Sequence, residues 1–418
     1  MSVLLQYLNK HALFPNQINI PPSHKLGIVV VIPCFNEENI TTILQSIYDC
    51  HRPQCDVEVL VVINSPSDAP ANVLETNRAR MHDFYQWASQ HEDQQLHYYL
   101  LHYPSLPPKD AGVGLARKLG MDQAVYRFLQ INHEQGIIAN IDADCTCSKN
   151  YLTSIEKLFT TTKTKACSIR FEHPIEGTLF SSKNYDAIIQ YELYLHYYIL
   201  SLRKTGHPFA YHTIGSSFAV RVSEYALQGG MNKRKAGEDF YFLQKIIPLG
   251  KYTELNDTCV YPSPRKSERV PFGTGASITK MLNNKNTDYY TYNIQAFEDL
   301  YLFFKQILNL HQAAEVALLN INEPLKSFLD INNFSTHLAE IQKNTSTSRA
   351  FIQRFFRWFN AFLVLKYMNY SHEHYYQRKP VSDMAKAYLK KHENVDASTF
   401  TPKELLLYFR KLIYTNDL

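Results

Sequence analysis

The sequence predicts an α/β protein built on a doubly wound open sheet, followed by a region of helices. Three observations carry this reading. Residues 27–32 (GIVVVI) and 57–63 (VEVLVVI) are short, β-branched and apolar almost throughout, as strands buried on both faces of a parallel sheet are. Between them Ile40, Ile43, Leu44 and Ile47 recur at helical spacing over 37–48, with Asn36 as the expected N-cap, so the unit reads βαβ. The alternation then continues with a helix over 70–90, a strand over 95–102, a helix over 114–130 and a strand over 136–141. Sheets of this kind bind ligands beyond the carboxyl ends of their strands.

Residues 166–171 and 213–222 read as further strands, 185–203 as a tyrosine-rich helix and 238–247 as a short helix after a Gly-Gly break at 229 and 230. A Pro/Arg loop covers 262–271. Beyond Gly275 the texture turns helical, with Asn/Thr-rich connections and few strand signals. The expected division is an N-terminal extension over 1–26, an α/β domain over 27–275 and a helical region over 276–418.

The 418 residues (48.5 kDa) suffice for two or three domains, or for one large α/β unit with additions. Hydrophobic residues at 45% and charged residues at 20% exclude a disordered chain. A formal net charge of +4 is too mild for a dedicated nucleic-acid binder. The 7 cysteines are odd in number and scattered, which fits reduced thiols and a cytoplasmic setting rather than a disulfide scaffold. The first residues lack the basic flank and cleavage site of a signal peptide, and no run approaches the roughly 20 apolar residues of a membrane span.

Four segments carry candidate chemistry. Pro33-Cys34-Phe35-Asn36-Glu37 lies where the first strand meets a helix, a junction whose free N–H groups and carboxylate can grip a nucleotide; a proline turn with an acidic helix start accounts for the same residues. Asp142 and Asp144 end an apolar strand two residues apart, so they share a face and repel unless a cation compensates them; hard oxygen ligands on a divalent ion bridging a diphosphate are the economical explanation, against an acidic surface turn. Gly112 and Gly114 permit close backbone approach to a phosphate or sugar, with Arg117 and Lys118 one turn on, although a glycine loop before a helix is common. Glu238-Asp239 at a helix start, behind the basic run 233–235, suits a general base, although taken in isolation a helix cap is the stronger reading. Cys145-Thr146-Cys147 lacks a companion Cys/His pair and is discounted as a zinc site.

In this order the motifs resemble the family 2 glycosyltransferases of GT-A fold over residues 27–275. Pro33 to Glu37 is similar to that family's opening nucleotide-sugar loop, Gly112 to Gly120 to its glycine and arginine segment, Asp142/Asp144 to its D-x-D and Glu238-Asp239 to its E-D. The resemblance implies a GT-A mixed sheet, with a Rossmann-like nucleotide half and an acceptor half. It implies transfer of a sugar from a nucleoside-diphosphate sugar with inversion, Mg²⁺ or Mn²⁺ held by Asp144 and Asp142, and Asp239 as base beside Glu238. Asn64, Ser65 and Asp68 stand where the family often has an Asp-Asp-Gly-Ser turn, and Lys118 replaces the usual Asn. No Q-x-x-R-W segment of processive synthases is present. Arg265, Lys266 and Arg269 either add to stabilisation of the diphosphate or form a solvated basic loop. Two alternatives remain: a haloacid dehalogenase-like phosphatase with Asp142 as nucleophile, and a non-catalytic nucleotide-sugar binding protein. The acceptor is a glycan, a lipid-linked molecule or a small molecule. The aromatic helices 185–203 and 349–370 are read chiefly as core, with peripheral contact at the inner face of a membrane as the alternative.

Overall fold

A computed structural model describes residues 2–267, 273–283, 288–311 and 321–415. Its contacts divide the chain into two compact units, Met1–Pro174 with Thr213–Ala276, and Ile175–His212 with Ser277–Leu418.

In the first unit, β1 (Leu26–Cys34), β2 (Asp56–Pro66), β3 (Leu96–Leu106), β4 (Ile137–Asn140), β5 (Thr146–Cys147), β6 (Ala166–Phe171), β7 (Phe218–Arg221) and β8 (Tyr252–Tyr261) form one sheet in the order 3-2-1-4-7-6-8-5. Strands β3, β2, β1 and β4 run parallel, and β7 is inserted antiparallel between β4 and β6. This is the doubly wound mixed sheet that the resemblance implies. Its helices are α1 (Val3–His11), α2 (Thr41–Tyr48), α3 (Ala71–Ala88), α4 (Val113–Gln130) and α5 (Tyr151–Thr161); α6 (Ser182–Lys204) belongs to the second unit, and α7 (Val222–Leu227) and α8 (Glu238–Ile246) return to the first.

The core explains the elements. Val30, Ile32, Val59 and Val61 are fully buried against Ile43, Leu44 and Ile47 of α2, each side chain contributing about 1.5–3 kcal/mol. On α4, a Cβ at Gly120 would lie 2.4 Å from Val31 Cγ1, so glycine lets this helix lie close on β1. Cys34 pairs with Ile63 and Val31 with Asn140, which brings the carboxyl ends of β1, β2 and β4 side by side. These are the ends that carry Glu37, Asn64 and Asp142.

Four expectations change in detail. Asn36 does not cap α2: the helix starts at Thr41, Asn36 takes a left-handed φ of +50°, and Asn39 Oδ1 receives the Thr42 N–H at 3.1 Å. Asparagine tolerates that backbone because its short amide finds local partners. Strands β2 and β3 run past 63 and 102, to Pro66 and Leu106, because their pairing continues across an irregularity between Asn64 and Pro66. Strand β8 has no counterpart in the sequence reading, since Asn256 and Asp257 interrupt its apolar alternation, yet it pairs with β6 across a register shift. Of 213–222, only Phe218–Arg221 is strand.

The second unit is helical apart from the short pairing of Tyr290–Thr291 with Lys379–Pro380. After α6 come α9 (Thr274–Asn283), α10 (Ile294–Phe304), α11 (Ile307–Leu310), α12 (Glu323–Ile331), α13 (Phe334–Lys343), α14 (Ser348–Trp358), α15 (Ala361–His374), α16 (Val381–Tyr388) and α17 (Pro402–Tyr414). The stretch 349–370 is not one helix: it breaks at Phe359, and Asn360 Oδ1 caps α15 by accepting from the N–H groups of Phe362 and Leu363 at 3.0 and 3.2 Å. Phe351, Phe355, Phe359, Val364, Tyr367 and Met368 are buried in one cluster, while Arg354, Arg357 and Lys366 are exposed. Packing thus consumes the aromatic stripe. Inside this unit Glu192 of α6 is fully buried and receives Arg410 of α17 at 2.6 and 3.0 Å. No described helix is long and apolar enough to cross a membrane.

Candidate active site

The site lies within the first unit, at the carboxyl ends of β1, β2 and β4. Pro33 is buried at the end of β1; Phe35 and Asn36 are half-buried beyond it. Asn77, buried on α3, ties this loop to β2: its Oδ1 accepts the Asn36 N–H at 3.0 Å, and its Nδ2 donates to Ser65 Oγ at 2.9 Å and to the Asn64 carbonyl at 3.3 Å. Asn64 in turn donates to the Gly112 carbonyl at 3.3 Å, and its own Oδ1 is buried with no hydrogen-bond partner among the described residues. The sequence reading missed Asn77. Its signal was a buried-face asparagine in an otherwise ordinary amphipathic helix, which periodicity cannot distinguish from a surface residue.

The second part is a carboxylate cluster held by two arginines. Arg117 of α4, 4% exposed, donates through Nη2 to Asp142 Oδ1 at 2.5 Å and through Nη1 to Glu238. Room for the guanidinium comes from Gly215, where a Cβ would fall 2.5 Å from Nη1. Arg265 donates through Nε to Asp144 Oδ2 at 2.7 Å and through Nη2 to Glu37 Oε2 at 2.5 Å. The residues of the opening loop, the D-x-D and the E-D are therefore brought together, as is Arg265. Lys266 is exposed, and Arg269 lies outside the described residues.

Among the described residues, Arg117 and Arg265 bond four carboxylates, Glu37, Asp142, Asp144 and Glu238, and Asp239 follows the last of them in the chain. Burial pushes Glu238 up to about 7, with Arg117 opposing it. Burial also raises Asp239, again against Arg117 and against the Phe240 N–H, which donates to Asp239 Oδ1 at 2.7 Å. Helix α8 can begin on these two acids because Gly237 takes φ +72°, a left-handed conformation that costs glycine little.

Of the other expected residues, Gly112, Gly114 and Lys118 contact the chain itself. A Cβ at Gly114 would meet the Arg234 carbonyl oxygen at 2.1 Å, and one at Gly112 would meet Lys235 Cα at 3.3 Å, so the backbone that approaches these glycines is the loop leading into α8. Lys118 is not joined to the carboxylate cluster: its ammonium is buried and donates to Asp122 Oδ2 at 2.9 Å and to the Tyr7 hydroxyl at 3.0 Å. The hydroxyls of Tyr7 and Tyr225 both donate to Asp122 Oδ1, at 2.6 and 2.7 Å, which anchors α1 to α4 and α7. Asp68 lies exposed in the turn after β2.

Asp142 and Asp144 are hard oxygen donors paired with Arg117 and Arg265, and they fit a divalent cation that completes its shell with water or diphosphate oxygens. Among the described residues no three His, Cys, Asp or Glu side chains converge on one point, so an all-protein cage is not what they form.

The family model for glycosyl transferase family 2 matches residues 29–223, the stretch that supplies the opening loop, Arg117 and both D-x-D carboxylates. The chain carries a family 2 glycosyltransferase domain. No curated protein matches it in sequence. Among solved structures, residues 1–349 of S. aureus TarS in complex with UDP-GlcNAc are similar at 13% identity and a TM-score of 0.41, covering 83% of this chain and 92% of that one. The same fragment in complex with UDP gives 13% identity, a TM-score of 0.39, and coverage of 83% and 91%. At those scores the transferase reading rests on the family match and the site geometry. Asp142, the nucleophile of the phosphatase alternative, does not stand free in this transferase, since Arg117 holds its Oδ1.

Proposed function

We propose that this transferase moves a sugar from a nucleoside-diphosphate sugar to an acceptor hydroxyl with inversion at the anomeric carbon, and that it depends on Mg²⁺ or Mn²⁺. The observation that carries the reading is the joining of Asp142 and Glu238, at 142 and 238 in sequence, through the single guanidinium of Arg117. The opening loop, with Pro33, Phe35, Asn36 and Glu37, and the end of β2, with Asn64 and Ser65, form the nucleoside side of the crevice. Asp142 and Asp144 would hold the cation, which when bound offsets charge on the leaving diphosphate. Asp239 accepts the proton of the acceptor hydroxyl as its oxygen attacks the anomeric carbon, and the electron pair of the breaking bond leaves with the diphosphate. Glu238, paired with Arg117, positions Asp239 at the start of α8. Arg265 faces the diphosphate once it releases Asp144.

The transferase domain is assigned to 27–275, and aromatic side chains left over from packing in the stretches 185–203 and 349–370 suit stacking on a glycan, a lipid-linked acceptor or a small molecule. We assign a cytoplasmic enzyme on its odd, scattered set of 7 cysteines. The test is release of nucleoside diphosphate from a panel of nucleotide sugars with Mn²⁺, with EDTA, and with Asp144→Ala. Turnover that requires the cation and is lost in the variant supports the reading; full turnover in EDTA rejects the metal assignment, and no turnover with any donor favours a binding protein.

A further inference from the structure

Directly behind the D-x-D, two cysteines from distant parts of the chain meet. Cys50, just past the end of α2 and 4% exposed, has its Sγ 3.7 Å from Sγ of Cys147 on β5, three residues beyond Asp144. The same junction holds Ser46, whose Oγ accepts the Cys147 N–H at 2.9 Å and lies 3.6 Å from Cys147 Sγ. The Cys50 thiol also reaches the Ser46 carbonyl at 3.4 Å. We propose that Cys50 and Cys147 are an oxidation site, closing to a disulfide with hydrogen peroxide and thereby resetting the Asp142–Asp144 loop.

Three features support this. The sulfurs already touch, and a bond of about 2.05 Å needs them to approach by roughly 1.7 Å, within the reach of a short loop. Cys147 is partly exposed, which admits a small oxidant to the pair. A hydrogen bond with Cys147 lowers the Cys50 thiol, against burial, and raises the Cys147 thiol, so Cys50 is the more acidic sulfur of the pair. Cys145 and Cys167 are buried, and burial pushes both thiols up.

The step balances. One thiolate attacks a peroxide oxygen, forming a sulfenic acid and releasing hydroxide. The second thiol then attacks that sulfur, forming the S–S bond; its proton and the sulfenic hydroxyl leave as water. Two thiols are oxidised and one peroxide is reduced to water.

Cys147 sits on a two-residue strand, so a bond that draws it toward α2 moves the segment between Asp144 and β5. This consequence rests on the donor-site reading. Full-length protein, shown to be folded by circular dichroism, is treated with hydrogen peroxide, its thiols are counted and its peptides mapped by mass spectrometry. The expected result is loss of two thiols per chain and a Cys50–Cys147 linked peptide, reversed by dithiothreitol and abolished in Cys50→Ser but not in Cys145→Ser. Seven thiols surviving in the folded protein, or a link that forms only in denaturant, overturns the oxidation site. Binding of a nucleoside diphosphate with Mn²⁺ is expected to weaken by at least 5-fold on oxidation, an effect of about 1 kcal/mol. Linked protein that binds as tightly as reduced protein overturns the coupling. Failure of the reduced protein to bind at all counts against the donor-site reading, and the linked peptide, measured without ligand, still decides the disulfide.

Discussion

Arg117 donates to Asp142 at 2.5 Å from the first turns of α4 to the end of β4. The same guanidinium is committed to Glu238, and both partners of that second pair are almost fully buried. A cation in this position holds together three segments that are far apart in sequence, and it also compensates charges that could not otherwise be buried so closely.

Removing it should therefore affect stability as well as chemistry. Arg117→Ala leaves Glu238 buried without a counter-charge and is expected to cost about 3–5 kcal/mol in urea unfolding. The double variant Arg117→Ala, Glu238→Gln should recover part of that loss. If the double variant is no more stable than the single, Arg117 acts through packing against Gly215 rather than through charge.

Asp239→Asn keeps the shape of the side chain and removes the basic oxygen. Donor binding should survive while kcat falls by about 10² or more. Steady-state kinetics with saturating donor and Mn²⁺ provide the check, and near-normal kcat would move the base to another group.

Glu238 gives a pH signature with a defined sign. Its folded pKa, pushed up to about 7 by burial, lies above the ordinary value of 4.5, so the folded state binds more protons than the unfolded state between those values. The contribution of this group is fully present below pH 4.5 and is lost as pH rises through 7, amounting to about 1–3 kcal/mol. Unfolding free energies measured from pH 4.5 to 8 in the parent and in Glu238→Gln test this: the difference between the two proteins should drift in that direction. A difference that stays flat across the window shows that Arg117 keeps Glu238 ionised throughout.

The aromatic helices separate packing from membrane contact. Phe355→Ala removes a fully buried ring and should destabilise by about 3–5 kcal/mol. Arg354→Ser with Arg357→Ser, both exposed, should change stability by less than about 0.5 kcal/mol. The arginine variant is thus the folded probe for sedimentation with anionic vesicles: salt-sensitive binding lost in it supports a membrane surface, whereas equal sedimentation of parent and variant removes these arginines from that role.

Much of this protein was determined by sequence alone, because the relevant signals are local. Val29 to Ile32 and Val59 to Ile63 are buried on both faces in any sheet that contains them, and their β-branched runs announce this without partners. The same holds for the D-x-D, since acids just past an apolar strand need compensation whatever surrounds them. Tertiary structure alone decided which charges compensate which. The pairing of Arg117 with Asp142 and Glu238, the bridge from Arg265 to Asp144 and Glu37, and the diversion of Lys118 to Asp122 and Tyr7 all depend on helix orientation, which adjacent positions 117 and 118 cannot reveal: one turns toward the strand ends and its neighbour about 100° away. Asn77 and β8 stayed hidden for a related reason. A buried asparagine and a polar-interrupted strand acquire meaning only from the partners that satisfy their hydrogen bonds, and those partners come from elsewhere in the chain.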